Sequence, residues 1–248
     1  MSNSNLVIQK YEKLNFFSNQ KSKSSKKRNR NPGKYPDKYC PKKEENNTFL
    51  LQSCKLLNSY YGEEGIIALI LDGKEMRTTK TLKSLGHRLK HLTIVEFNKD
   101  TFEEMQKNIN LHNDNFISVY NCHMSDYVQK YNDPKVNVVY FDLNLNFFSS
   151  NKTDGSDIII HNFLQKSSVD EMIFAATFCL RTSESINYEQ EQKFIIIILE
   201  KIFITNQFEW TNLIENKDMR YQGQTGANKA LMFAIYYLKK IKSKNQNF

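Results

Sequence analysis

The chain contains 248 residues, of which 40% are apolar and 25% charged; this is typical of one large α/β domain or two small ones. Its 8 glycines and 4 prolines are too few for a collagen-like, proline-rich or many-turned all-β protein. No apolar run reaches the roughly 18 residues of a membrane span, and the first residues lack the apolar core of a signal peptide. The four cysteines form no CxxC pair, which indicates reduced thiols and argues against a zinc module. We therefore expect an intracellular protein with no membrane partner and no bound metal.

The positive charge is concentrated near the N-terminus. Residues 21–43 contain ten Lys or Arg and one acid, so this segment carries +9, whereas the net charge of the whole chain is +8. Such a segment buries too little apolar surface to fold alone, and self-repulsion keeps it extended. The sequence therefore predicts a flexible basic arm over residues 1–46 and one α/β domain over residues 47–248.

The basic arm predicts a nucleic-acid partner, RNA or DNA. Lysine and arginine next to a phosphate backbone release counterions, which gives affinity that depends on salt but not on base sequence. Two other interpretations stay open: a nuclear import signal over residues 26–30, and a solvated linker. The candidate nucleic-acid-binding residues are Lys21, Lys23, Lys26, Lys27, Arg28, Arg30 and Lys34.

The first half of the predicted domain alternates helix and strand. A helix is expected over 47–61, followed by a buried strand over 66–71, whose continuous apolar run is bounded by glycines. A second helix is expected over 78–89 with Thr78 or Thr79 as its cap, and then a strand over 91–96. A third helix over 100–111 has Asp100 as its expected cap.

The second half continues the alternation. Strands are expected over 116–120, 136–141 and 172–179, with a short helix over 125–130 after the first of them. A long helix over 188–203 and two closing strands over 208–214 and 230–238 complete the domain. Strands separated by helices form right-handed crossovers, so the pattern predicts a doubly wound, mostly parallel seven-stranded sheet of Rossmann-like type.

Polar residues follow the predicted strands at the points where a doubly wound sheet binds its ligands. Asp72 and Gly73 come after the first strand, and Glu96 ends the second. Asp126 lies beyond the third strand, and Asp142 with Asn144 follows the fourth. An acid after the second strand is the pattern expected for a group that binds ribose hydroxyls.

This order of strands, helices and acids is similar to that of the class I S-adenosylmethionine-dependent methyltransferases, over residues 47–240. The resemblance implies S-adenosylmethionine as the cofactor. It implies that Asp72 and Gly73 hold the methionine moiety, that Glu96 binds ribose and that Asp126 flanks adenine. It also implies that Asp142 and Asn144 face the transferred methyl group and would be the catalytic residues of an active enzyme.

Two departures from the family pattern bear on activity. The family's first loop usually reads acid-x-Gly-x-Gly-x-Gly, whereas Lys74, Met76 and Thr78 stand at the glycine positions here, and large side chains would fill space that the methionine moiety needs. After the fourth strand, enzymes that methylate exocyclic amines commonly carry two prolines and an aromatic residue, which this chain lacks. Methylation of a ribose hydroxyl would instead require a lysine that acts as a base and is held by acids. Lys201, in a predicted helix, is the candidate for this lysine.

These observations leave more than one function open. The favoured interpretation is a non-catalytic subunit, a scaffold or nucleic-acid clamp within a DNA or RNA methyltransferase complex; adenine-N6 methyltransferase assemblies contain inactive partners of this fold. The alternative is an active methyltransferase acting on RNA or DNA. A third is a NAD- or nucleotide-binding protein that uses Glu96 for ribose. Protein partners and a nuclear location are expected under the favoured interpretation.

Overall fold

The computed structural model describes residues 41–131, 133–142, 155–180, 187–215, 219–222 and 230–242. The seven candidate nucleic-acid-binding residues of the arm, and Asn144, lie outside the described residues, so their predicted roles stay predictions. All elements below belong to one compact unit that spans residues 37–248.

Helices and strands alternate along the described chain. The helices are α1 (Pro41–Ser53), α2 (Asn58–Tyr61), α3 (Arg77–Lys83), α4 (Lys99–His112), α5 (Met124–Lys130), α6 (Ser156–Lys166) and α7 (Tyr188–Thr205). The strands are β1 (Ile66–Ile70), β2 (Leu89–Val95), β3 (Ile117–Tyr120), β4 (Val138–Asp142), β5 (Glu171–Cys179), β6 (Phe208–Asn212), β7 (Arg220–Gln222) and β8 (Ala230–Lys240). Each strand expected from the sequence is present, with bounds within two residues of the prediction.

The strands form one mixed sheet in the order β3-β2-β1-β4-β5-β8-β6, and the short β7 pairs with β8 outside this path. Strands β1 to β5 are parallel to one another, whereas β8 is antiparallel to both β5 and β6. The predicted doubly wound, mostly parallel sheet is therefore confirmed. The chain leaves β1 in one direction and β4 in the other, so the crevice at their carboxyl ends is the topological switch point of the sheet.

Each face of the sheet carries its own apolar core. One core joins strand residues such as Tyr140 to Leu50 of α1, Leu82 of α3 and Met105 of α4. The other joins the alternate strand residues to α5, α6 and α7 through side chains such as Phe163. Because side chains alternate along a strand, Asp142 points to the same face as Tyr140, the face that α1 covers.

Two predicted helix caps are wrong. Helix α3 begins after Met76 rather than at Thr78 or Thr79, which lie buried inside the helix. Helix α4 is capped by Asn98 rather than Asp100, because the Asn98 side chain accepts a hydrogen bond from the Thr101 amide at 3.0 Å.

Two helical features were not anticipated in the sequence. Helix α1 begins at Pro41, six residues before the predicted start of the domain at residue 47. Helix α6 lies in a stretch to which no element was assigned, although four of its apolar residues recur at helical spacing and are buried: Ile159, Ile160, Phe163 and Leu164. No helix among the described residues is long and apolar enough to cross a membrane.

Candidate functional site at the carboxyl ends of the strands

Three acids meet at the carboxyl edge of the sheet. Asp72 follows β1, Glu96 follows β2 and Asp142 ends β4, and these are neighbouring strands. Asp72 is buried, and Asp142 has a side chain that is only 9% exposed. Asp126 lies in the first turn of α5, after β3. The sheet thus brings together the three predicted acids that follow β1, β2 and β4.

The Asp72 carboxylate fixes the loop between β1 and α3. It accepts hydrogen bonds from the Thr79 amide at 2.7 Å, the Thr79 hydroxyl at 2.8 Å and the Gly73 amide at 3.0 Å. Burial raises the pKa of Asp72 above its ordinary value, and these donors together with the charge of Lys43 oppose that rise. Asp72 therefore holds the start of α3 in place from within the protein.

The residues at the three glycine positions of the loop differ in their surroundings. Met76 adopts the left-handed conformation, with φ of 51°, that favours glycine, and its side chain is buried in the core formed with α1, α3 and α4. Lys74 is exposed to solvent. Thr78, at the third glycine position, donates its hydroxyl to the Asn47 side chain at 3.2 Å. The expectation that Lys74 and Met76 fill the ligand space stays a prediction.

Glu96 is half-buried at the end of β2, beside an exposed aromatic pair. One carboxylate oxygen accepts from the Asn98 amide at 2.6 Å. Burial raises the pKa of Glu96, and the nearby charge of Asp72 adds to the rise. The next residue, Phe97, is 66% exposed and stacks on His123, with ring centroids 5.3 Å apart and planes 12° apart. Phe97 and His123 were not singled out in the sequence, although an aromatic directly after the ribose-type acid was a visible signal.

Asp126 is partly buried and stands at the third position of α5, where a carboxylate interacts favourably with the helix N-terminus. The cap residue of this helix, His123, makes no side-chain capping bond. Its stacking on Phe97 places the start of α5 close to the end of β2. The predicted role of Asp126 beside adenine stays a prediction, because its position also stabilises the start of the helix.

Asp142 forms an ion pair that the sequence did not predict. The Lys43 ammonium lies 2.6 Å from a carboxylate oxygen of Asp142, and the Lys43 side chain is 26% exposed. Lys43 comes from α1, within the stretch that was assigned to the arm. Lys201, the lysine considered for ribose chemistry, is exposed on α7, a helix that packs against α6 and β6. The lysine held by an acid of the crevice is thus Lys43.

Two buried amide groups of α1 have no acceptor among the described residues. Asn46 is 2% exposed and Asn47 is fully buried, and the side-chain nitrogen of each lacks a hydrogen-bond partner there. The side-chain oxygen of Asn47 accepts a hydrogen bond from the Thr78 hydroxyl, so the side-chain nitrogen of Asn47 lies beside the start of α3. Within the described part of the chain no group of three acids, histidines or cysteines is arranged to hold a metal ion.

The sequence matches no known family model, and no curated protein matches it. Several solved structures are similar in fold. YcgJ from Bacillus subtilis superposes with a TM-score of 0.51 at 9% identity, over 79% of this chain and 99% of that one. PH1948 from Pyrococcus horikoshii, named as a proposed RNA methyltransferase, gives 0.49 at 16% identity over 80% and 84%. TYW2 from M. jannaschii, solved in complex with AdoMet, gives 0.46 at 13% identity over 79% and 77%.

At such identities a similarity shows the fold alone. The observed strand order, with five parallel strands and an antiparallel closing pair, is the order expected of the class I S-adenosylmethionine-dependent methyltransferase fold. The resemblance inferred from the sequence is therefore confirmed at the level of the fold.

Proposed function

We propose that this chain binds S-adenosylmethionine at the carboxyl ends of β1 and β2 and acts in the methylation of nucleic acid, RNA or DNA. The observation that supports this most is the orientation of Met76, whose side chain packs in the core while its backbone adopts the glycine-like conformation. A residue with positive φ at this position is what the family's glycines permit, and this supports a methionine site although the glycines are missing.

The residues at the crevice fit the proposed cofactor. The Glu96 carboxylate accepts hydrogen bonds from ribose hydroxyls, and the exposed ring of Phe97, supported by His123, offers a face on which adenine stacks. The backbone at Gly73 borders the methionine moiety, and Asp126 borders adenine. When bound, the cofactor supplies an electrophilic methyl group.

In this proposal Asp142 and Asn144 orient the acceptor. A carboxylate accepts a hydrogen bond from an exocyclic amine or from a hydroxyl, which fixes the nucleophilic atom relative to the crevice. The basic arm supplies affinity for the phosphate backbone. Its cluster at residues 26–30 supports a further role in nuclear import.

Calorimetric titration of the purified chain with S-adenosylmethionine and S-adenosylhomocysteine tests the proposal. We expect saturable 1:1 binding by the wild type, and a loss of about tenfold or more in affinity for Glu96→Gln, because the amide presents one acceptor oxygen in place of two. The matched control is Glu104→Gln, an exposed acid on α4, which should bind as the wild type does. Absence of binding by wild type and by Lys43→Met, with both folded, would overturn the proposal.

A second candidate function is favoured by the ion pair between Lys43 and Asp142. A carboxylate already held by a lysine is less available to an acceptor, as expected of a non-catalytic scaffold or nucleic-acid clamp that works beside an active partner subunit. In that case Asp142→Ala leaves the methylation rate of the assembled complex unchanged. A large loss of methylation in a properly folded Asp142→Ala complex would eliminate this candidate.

A further inference from the structure

We propose that the crevice between β1 and β4 is a binding site for an organic cation, and that Lys43 occupies it as an internal substitute delivered by a displaceable strap, the first half of α1 (residues 41–47). The inference rests on the proposed function, because the cation it assigns to the site is the sulfonium or ammonium group of S-adenosylmethionine.

The charges at the switch point support a cation site. Asp72 and Asp142 end the two neighbouring strands β1 and β4, and the Lys43 ammonium lies 2.6 Å from Asp142. The same ammonium acts on Asp72, where its charge opposes the effect of burial on the carboxyl group. A single cation thus pairs with one acid and lies near a second, in the crevice where a doubly wound sheet binds its ligands.

The strap is attached to the domain mainly through polar contacts. Leu50 is the one fully buried apolar residue of α1, and it lies outside the strap. Within the strap, Lys43 pairs with Asp142, Glu44 lies 3.5 Å from Arg77, and Asn47 accepts from Thr78 at 3.2 Å. Contacts of this kind are individually weak because water competes for them once the strap moves.

The closed position of the strap also carries a cost. The side-chain nitrogens of Asn46 and Asn47 are buried without an acceptor among the described residues, and a buried unpaired donor is unfavourable. When the strap moves outward these amides regain water, which offsets part of the lost ion pair. With few apolar contacts and two unsatisfied donors, the strap exchanges between a closed and an open position. A cationic ligand that replaces Lys43 beside the acids shifts this equilibrium toward the open position.

Amide hydrogen exchange tests the strap without any ligand. We expect Lys43→Met, and also Glu44→Lys, which places a like charge against Arg77, to speed exchange in residues 44–50 of the full chain. The matched control is Lys42→Met, because Lys42 is on the same helix and pairs only with exposed Glu45 among the described residues. Unchanged exchange in Lys43→Met would show that Lys43 does not hold the strap closed, and would overturn the inference.

Titration of the same variants tests the cation site. If the strap is closed in about nine molecules of ten, opening it tightens the apparent affinity for S-adenosylmethionine about tenfold. Lys43→Met should show this gain, Glu44→Lys a smaller gain in the same direction, and Lys42→Met none. S-adenosylhomocysteine lacks the sulfonium charge but keeps the ammonium group. A smaller gain for S-adenosylhomocysteine than for S-adenosylmethionine would assign the site to the sulfonium, and an equal gain would assign it to the ammonium.

The outcomes separate the two proposals. Weaker or equal binding of S-adenosylmethionine by Lys43→Met, relative to a wild type that binds, overturns the cation site and leaves the proposed function standing. If amide exchange is faster in Lys43→Met but no variant binds S-adenosylmethionine, the proposed function is contradicted. The assignment of the cation to S-adenosylmethionine is then contradicted as well.

Discussion

The Lys43 ammonium lies 2.6 Å from the Asp142 carboxylate and so connects the first helix of the domain to the end of its fourth strand. The side chain of Asp142 is 9% exposed and that of Lys43 is 26% exposed, so the pair is only partly screened by water. It places a residue from the predicted arm inside the candidate site.

We expect Lys43→Met to destabilise the fold in a pH-dependent way. The pKa of Asp72 is raised by burial, and the charge of Lys43 opposes that rise, so removal of the lysine raises this pKa further. A carboxyl group whose pKa is raised in the folded state lowers stability as the pH rises past its ordinary value of 3.8. The stability deficit of Lys43→Met should therefore be small near pH 4 and grow to about 1 kcal/mol at neutral pH.

Thermal unfolding at a series of pH values from 4 to 8 measures this deficit. Lys42→Met serves as the control, because its pair with Glu45 is exposed and contributes little at any pH. A deficit of the same size at every pH would mean that Lys43 does not stabilise the fold through its charge on Asp72.

Replacing Met76 with glycine should destabilise the protein although it restores the family residue. Glycine relieves the strain of the left-handed backbone, worth about 1 kcal/mol, but it removes a buried side chain worth about 2–5 kcal/mol. We expect a net loss of about 2 kcal/mol in the free energy of unfolding. The control is Asn113→Gly, at an exposed helix end with φ of 52°, which should be neutral or slightly stabilising. Equal effects of the two substitutions in urea unfolding would argue against core packing by Met76.

The Thr79 hydroxyl should contribute to the stability of the first loop. It donates to the buried Asp72 carboxylate at 2.8 Å, and a hydrogen bond to a charged group is worth about 1.5–3 kcal/mol. Thr79→Val keeps the shape and removes the donor, so we expect a loss near the lower figure, because the Thr79 amide still donates. Thr81→Val in the same helix loses only a bond to the Arg77 carbonyl and should cost less in the same denaturation assay.

The fold was predictable from the sequence because its strands are short apolar runs separated by segments of helical pattern, and that alternation has few other solutions. The acids Asp72, Glu96 and Asp142 were predictable for the same reason, since they mark where strands emerge at one edge. Lys43 was not, because the contact joins residues far apart in sequence and its own surroundings are all polar. The conformation of Met76 was not predictable either, since a methionine gives no local signal for positive φ.

Replacing Asn137 with aspartate should destabilise the fold. Its side-chain nitrogen donates to the Gly65 carbonyl at 2.9 Å and to the Ser59 hydroxyl at 3.0 Å, while its oxygen accepts from the Ile67 amide at 2.9 Å. Asn137→Asp would place a carboxylate oxygen against the Gly65 carbonyl in a buried position, at a cost of about 3 kcal/mol. Asn115→Asp, at an exposed turn, is the control. A midpoint of urea unfolding that shifts equally in both variants would contradict the assigned hydrogen bonds.

Neutralising the basic arm should weaken nucleic-acid binding and flatten its salt dependence. The change replaces by glutamine the seven candidate residues, Lys21, Lys23, Lys26, Lys27, Arg28, Arg30 and Lys34, and it leaves α1, which begins at Pro41, intact. Each phosphate contact contributes about −0.9 to the slope of log K against log salt concentration for duplex DNA, and about −0.7 for single strands. With seven charges removed, the slope for duplex DNA should become shallower by up to about six. Fluorescence anisotropy at several salt concentrations gives both quantities for RNA and DNA. The control is Lys42→Met, which should leave the slope as it is in the wild type, because Lys42 pairs with Glu45 on α1. An unchanged slope in the seven-residue variant would place the nucleic-acid surface elsewhere on the chain.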